Sequence, residues 1–279
     1  MRLGAPVFNY TTPEEWAMAH ARKRLGAAYW PLPVEAPADK RDAYLGAAQR
    51  HGLAIAEVGV WNNLLDPDPA KREANFQASV AKLRLADAVG ARCCVNISGS
   101  LGAQWDGPHP GNLTLETFNA VVNITRRILD EAAPANTFYT LECMPWMFPH
   151  DLGSMLRLLD AVGHPRFAVH LDMANLMNMP EKVWRNAEHT RAWFDALGPR
   201  IRSIHAKDVI LRTHMTTHID ETLPGRGQFD FAELLRCAHA QDDVSVMCEH
   251  LSSEAEYDEA AAHLHGVADS IGLPFRLII

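Results

Sequence analysis

Short apolar runs alternate with stretches of helical periodicity from one end of the chain to the other. The runs at 2–9, 27–32, 53–61, 92–99, 138–146, 167–175, 201–209 and 244–251 read as strands. "TPEEWAMAHARKRLG" opens with Thr12, Pro13 and acids and closes on basic residues and Gly26, the start and stop chemistry of a helix. "DPAKREANFQASVAKLRLADAVG" has the same form and ends at Gly90. Further helices are predicted over 114–133, 151–162, 180–197, 229–240 and 254–271. Eight strands, each followed by a helix, predict an α/β fold, a parallel (β/α)8 barrel with residues 1–279 as a single domain. Between strand seven and its helix, 210–228 reads as a long polar loop, a feature that is more often functional than idle.

Four of the strands carry groups that are costly to bury. Side chains alternate across a strand, so Thr140, Glu142 and Met144 share a face, as do His170, Asp172 and Ala174. Ser203, His205 and Lys207 share a third, and Ser245, Met247 and Glu249 a fourth. Glu142, Asp172, His205 and Glu249 thus stand late in strands five to eight, at the end where such barrels place their chemistry. Without a cation they would repel one another; together they form a shell suited to Mn²⁺, Co²⁺ or Mg²⁺. Lys207 is a candidate for stabilising an oxyanion, against a rim salt bridge with Asp208. Glu57 lies earlier in its strand and suits an internal ion pair with Lys or Arg as well as it suits catalysis. His170, one step deeper than Asp172, is a candidate substrate-side, supporting or core residue, and His250 has the parity of a residue facing the helices.

Composition narrows the partners. Lys+Arg number 26 against 34 Asp+Glu, a net charge of −8, which disfavours a nucleic-acid surface and an anionic membrane. The five cysteines are odd in number and form no CxxC pair, as expected of free thiols in a reducing compartment. No signal peptide or membrane-spanning run is evident, and the expected location is cytoplasmic. Trp61, Trp105 and Trp146 follow strand ends, where indole rings suit the apolar faces of a sugar. A phosphate would call for clustered bases, and these loops offer only scattered ones such as Arg212 and Arg226. The expected partner is therefore an unphosphorylated sugar, keto-sugar or glycoside.

The segments "LECMPW", "HLDMANLMN", "SIHAKDV" with "PGRGQFD" after it, and "MCEH" resemble those of the xylose isomerase-like TIM barrels. The resemblance spans nearly the whole chain and is nearest to bacterial keto-sugar epimerases and related 3-oxo-glycoside lyases. It implies one divalent ion, Mn²⁺ foremost with Co²⁺, Mg²⁺ or Zn²⁺ as alternatives, on Glu142, Asp172, His205 and Glu249. It implies proton abstraction beside a carbonyl by Glu142 or Glu249, through an enediolate, with return of the proton by the other. His218 and Glu221 in the long loop are expected to close over the site, His218 as a further acid/base and Glu221 on the substrate. Where several such epimerases carry a substrate-contacting histidine three residues after the strand-six aspartate, this chain has Asn175, which hydrogen-bonds a hydroxyl but carries no proton at neutral pH. A lyase that follows the same enolisation with β-elimination is the alternative, of the keto-inositol dehydratase or C-glycoside deglycosidase kind. A non-catalytic sugar-binding protein or complex subunit is a second. The apurinic endonucleases of the superfamily need extra histidines after strands three and four; Trp61, Asn62, Asn63, Asn96 and Ser98 stand there instead. By analogy a homo-oligomer is expected, with a small partner subunit as an option.

Overall fold

The structure, a computed structural model, describes residues 1–278. In chain order the elements are β1 (Arg2–Gly4), α1 (Pro13–Arg22), β2 (Ala27–Tyr29), α2 (Ala38–His51), β3 (Ala54–Gly59), α3 (Pro69–Ala88), β4 (Cys93–Asn96) and α4 (Leu115–Ala132). They continue with β5 (Tyr139–Glu142), α5 (Leu152–Val162), β6 (Phe167–Asp172), α6 (Pro180–Trp184), α7 (Asn186–Leu197), β7 (Ile201–Ala206), β8 (Asp208–Leu211) and β9 (Ile219–Thr222). The last three are α8 (Phe231–His239), β10 (Ser245–Cys248) and α9 (Glu254–Ser270). Eight strands form a closed barrel in the order β1-β10-β7-β6-β5-β4-β3-β2, and β8 and β9 form a separate two-stranded sheet. The chain divides into two compact units, Met1–Ala56 with Asp172–Ile279, and Glu57–Leu171; both boundaries fall inside strands, β3 and β6.

In the first unit β1 pairs in parallel with β10, and β10 with β7 in the register Met247↔His205 and Cys248↔Ala206. Ala27, Ala56 and Met247 pack as a buried cluster with Tyr29 against it. Gly4 lets the Met247 sulfur lie against the β1 backbone, where a Cβ would collide. In the second unit β3, β4, β5 and β6 pair in parallel, and Glu142 sits in register with His170. Phe76, Leu83, Ile128, Leu129, Tyr139 and Leu141 are among its large fully buried side chains.

Helix ends follow their capping chemistry. The Thr12 hydroxyl accepts from the Glu15 amide and the Glu15 carboxylate accepts from the Thr12 amide, a reciprocal cap for α1. Asp151 and Ser154 do the same for α5.

The strands are shorter than the apolar runs. Helix α2 was not marked by its own sequence: Pro37 supplies no side-chain cap, and only Tyr44, Ala47 and Ala48 are buried. The single helix expected over 180–197 is two. The Asn186 side chain donates to the carbonyls of Val183 and Gln228, which ties the break to the segment before α8. Strand seven ends at Ala206 rather than 209, and the expected loop holds the antiparallel pair β8–β9, register Asp208↔Thr222 to Leu211↔Ile219. Asp208 organises this segment. Its buried carboxylate accepts from the amides of Val209, Phe229, Gly225 and Gly227 at 2.8–3.0 Å. A side chain at Gly227 would strike that carboxylate, and Gly225 has φ +96, so both glycines of "PGRGQ" are required by the turn.

Candidate functional site

Within the first unit, Asp172 ends β6, His205 stands one residue before the end of β7, and Glu249 follows the end of β10. The β7–β10 register, carried one residue beyond Cys248↔Ala206, sets Glu249 opposite Lys207. Nδ1 of His205 lies 2.8 Å from Glu249 Oε1 and 3.9 Å from Asp172 Oδ2. Nζ of Lys207 lies 2.7 Å from Glu249 Oε1 and 2.8 Å from Asp172 Oδ2. Lys207 therefore points inward with His205, as strand parity requires, and its partners are Asp172 and Glu249. Asp208, the alternative rim partner weighed for Lys207, gives its carboxylate to the backbone amides described above. All four residues are sequestered except the Glu249 side chain, 13% exposed.

Burial alone would push the Glu249 carboxyl up. The adjoining His205 and Lys207 outweigh it and hold the group well below its ordinary value of 4.5. A depressed carboxyl stabilises the fold above its ordinary range and loses that contribution as the pH falls. The stability gap between the native protein and Glu249→Gln is therefore widest near neutrality and closes on acidification below 4.5, as read by urea denaturation across pH.

In the second unit, Glu142 is the last residue of β5 and is buried. His170 lies beside it on β6, its Nδ1 4.0 Å from Glu142 Oε2 and its Nε2 3.1 Å from Glu57 Oε1. An imidazole is thus one partner of Glu57, where a Lys or Arg had been weighed against a catalytic role. His170 and Glu57 are fully enclosed.

The outlying candidates are placed as follows. The Asn175 amide donates to Asp172 Oδ1 at 3.2 Å, so this residue supports the aspartate through its backbone. Trp105 and Trp146 are partly exposed, and Trp146 Nε1 donates to the Asp106 carbonyl at 2.7 Å. Trp61 is partly exposed, and its indole lies over Gly59 at the end of β3. Asn62 and Asn96 bond each other, with Asn96 Nδ2 donating to Asn62 Oδ1 at 2.8 Å, and Asn62 Nδ2 donates to the Asn75 carbonyl. His218 stacks on His214 at 4.3 Å between centroids in the exposed turn before β9.

His250 corrects the parity reading. It adopts φ +57, which bends the chain after Glu249. Nε2 comes to 3.6 Å from Glu249 Oε1 and Nδ1 to 3.4 Å from Glu221, while the ring stays largely exposed. The hydrogen bond to Glu221 raises its pKa against the opposing effect of burial. Strand alternation carries no signal for such a bend; the one hint was histidine itself, a residue enriched at positive φ.

The donor set of Asp172, His205 and Glu249, two carboxylates and an imidazole with a ligand atom of each within 4.8 Å of the others, fits Mn²⁺, Co²⁺, Mg²⁺ or Zn²⁺. Among the described residues no helix is long and apolar enough to cross a membrane.

The family model of the xylose isomerase-like TIM barrel matches residues 18–266. The chain belongs to that family. No curated protein matches its sequence. Among solved structures, this xylose isomerase-like chain is similar to the 3-keto-D-glucoside 4-epimerase YcjR of E. coli, at 16% identity and a TM-score of 0.68, over 95% of this chain and 99% of that one. It is similar to AsbF of Bacillus anthracis, a probable 3-DHS dehydratase, at 15% identity and a TM-score of 0.70, over 94% and 96%. A xylose isomerase-like TIM barrel protein of Mycobacterium smegmatis in complex with magnesium matches at 14% identity and a TM-score of 0.67, over 94% and 89%. These likenesses describe the fold.

Proposed function

We propose that the protein is a divalent-metal-dependent isomerase or epimerase of an unphosphorylated sugar or keto-sugar. The observation that carries this reading is the convergence of Asp172, His205 and Glu249 from the ends of three barrel strands, with Lys207 within 2.8 Å of both carboxylates. Glu142 completes the ligand set in this proposal, and Mn²⁺ is the preferred ion. When bound, the ion supplies Lewis-acid polarisation of a sugar carbonyl and its neighbouring hydroxyl.

The residues of the chain do the rest. Glu249, ionised beside His205 and Lys207, would accept a proton from the carbon beside the carbonyl. Glu142, carrying a proton of its own, would deliver that proton and leave Glu249 protonated, or the two exchange roles, and Lys207 Nζ donates to the oxygen on which charge develops. Return to the same carbon from the other face is epimerisation; return to the neighbouring carbon is isomerisation. In this reading His218, from the turn before β9, and Glu221, from β9, close over the site, and Trp61, Trp105 and Trp146 supply indole surface for the sugar. A free sugar is preferred because the loop arginines are engaged: Arg212 pairs with Asp220 and Arg226 with Glu259, both exposed. We place the enzyme in the cytoplasm as a homo-oligomer.

The lyase reading shares the first proton transfer and ends in loss of a leaving group. Asn175 favours it, since it stands where several epimerases of this fold carry a substrate-contacting histidine. Incubation with MnCl2 and a panel of keto-sugars in D2O separates the two. Deuterium in an otherwise unchanged carbon skeleton, reduced at least about a thousandfold in rate by Glu142→Gln, supports the isomerase. Release of water or an aglycone supports the lyase, and neither outcome with any keto-sugar refutes the enolisation chemistry.

A further inference from the structure

Two oxygens, Asp172 Oδ2 and Glu249 Oε1, are shared by two kinds of neighbour. They face His205 Nδ1 at 3.9 and 2.8 Å, as ligands of one ion would, and they face Lys207 Nζ at 2.8 and 2.7 Å. The ammonium and a divalent ion would thus use the same atoms. The Lys207 side chain is 1% exposed. Its backbone is the single residue between the end of β7 and the start of β8, held on its far side by Asp208 and that residue's four amide bonds. Buried on this short anchor, the ammonium stays near any ion that enters, and like charges a few ångströms apart in a partly dry site repel strongly.

We propose that Lys207 is a resident counter-ion: it neutralises Asp172 and Glu249 in the metal-free protein, keeps that form folded, and lowers metal affinity by competing for the same two oxygens. The inference rests on the reading of these residues as a metal centre. It assigns Lys207 a role in metal loading separate from any contact with substrate. Metal binding is then an exchange of one counter-ion for another, and the ammonium displaced from the carboxylates is left beside the ion, where the substrate oxygen arrives.

The test is titration calorimetry of the full-length protein with MnCl2 alone, on wild type, Lys207→Gln and Lys207→Arg, with thermal melts with and without MnCl2. Lys207→Gln removes the charge while keeping a donor for the carboxylates, and Lys207→Arg keeps the charge. The expected result is Mn²⁺ binding at least about tenfold tighter in Lys207→Gln, with Lys207→Arg near wild type. Without metal the Lys207→Gln protein melts lower than wild type, and MnCl2 raises its melting temperature by more. Mn²⁺ affinity equal to or weaker than wild type in Lys207→Gln overturns the inference. So does a Lys207→Gln chain that fails to fold even with MnCl2, since the ion should replace the missing charge. Absence of binding in all three proteins sinks the metal-centre reading itself, an outcome distinct from equal affinities.

Discussion

Replacing Asp208 with alanine lowers the stability of the protein by about 3 kcal/mol or more and loosens the β8–β9 sheet. The carboxylate is buried and accepts from the amides of Val209, Gly225, Gly227 and Phe229. Each buried donor left without a partner costs about 1–3 kcal/mol, so the loss exceeds that of any single surface ion pair. Asp208→Asn keeps one acceptor oxygen and falls between the two. Urea denaturation gives the stability change, and amide hydrogen exchange at 208–229 locates it: fast exchange confined to this segment is the expected pattern. Native-like protection there in Asp208→Ala would show that the carboxylate does not organise the turn.

The second large effect is at Asp172. Asp172→Ala strips one of the two carboxylates from the buried Lys207 ammonium and removes the acceptor for the Asn175 amide. Breaking a buried ion pair outright costs about 3–5 kcal/mol, because the remaining charge is stranded away from water; with Glu249 still 2.7 Å from Nζ, Asp172→Ala costs part of that. Asp172→Asn retains the acceptor for Asn175 and loses only the charge, so it costs less. The midpoint of urea unfolding shifts in that order, with the slope unchanged. Equal stability of the native and Asp172→Ala proteins would mean that Glu249 alone satisfies the Lys207 ammonium.

The barrel was legible because its signals are local and repeated. Each strand is a short apolar run, and the caps at Thr12 and Asp151 carry their own chemistry. The inward set was legible for a related reason. Alternation places Asp172, His205 and Lys207 on inward faces, and the β7–β10 register brings Glu249 opposite Lys207. What sequence periodicity missed depends on contacts distant along the chain. Asp208 reads as a rim charge until the amides of Gly225 and Gly227, 17 and 19 positions on, come to meet it. Glu57 finds His170 across 113 positions, and no local pattern distinguishes that partner from a lysine. His250 was misplaced because one left-handed residue ends the alternation on which the reading depended. Helix α2 lacks both a side-chain cap and a broad apolar stripe, so only the rhythm of the barrel asked for it.

The most direct test of the metal-centre account is elemental analysis of the purified protein after reconstitution with MnCl2, wild type beside His205→Ala. The account predicts about one divalent ion per chain in wild type and its loss in the variant, with circular dichroism unchanged. No ion in wild type, or the same ion content in both proteins, would contradict it.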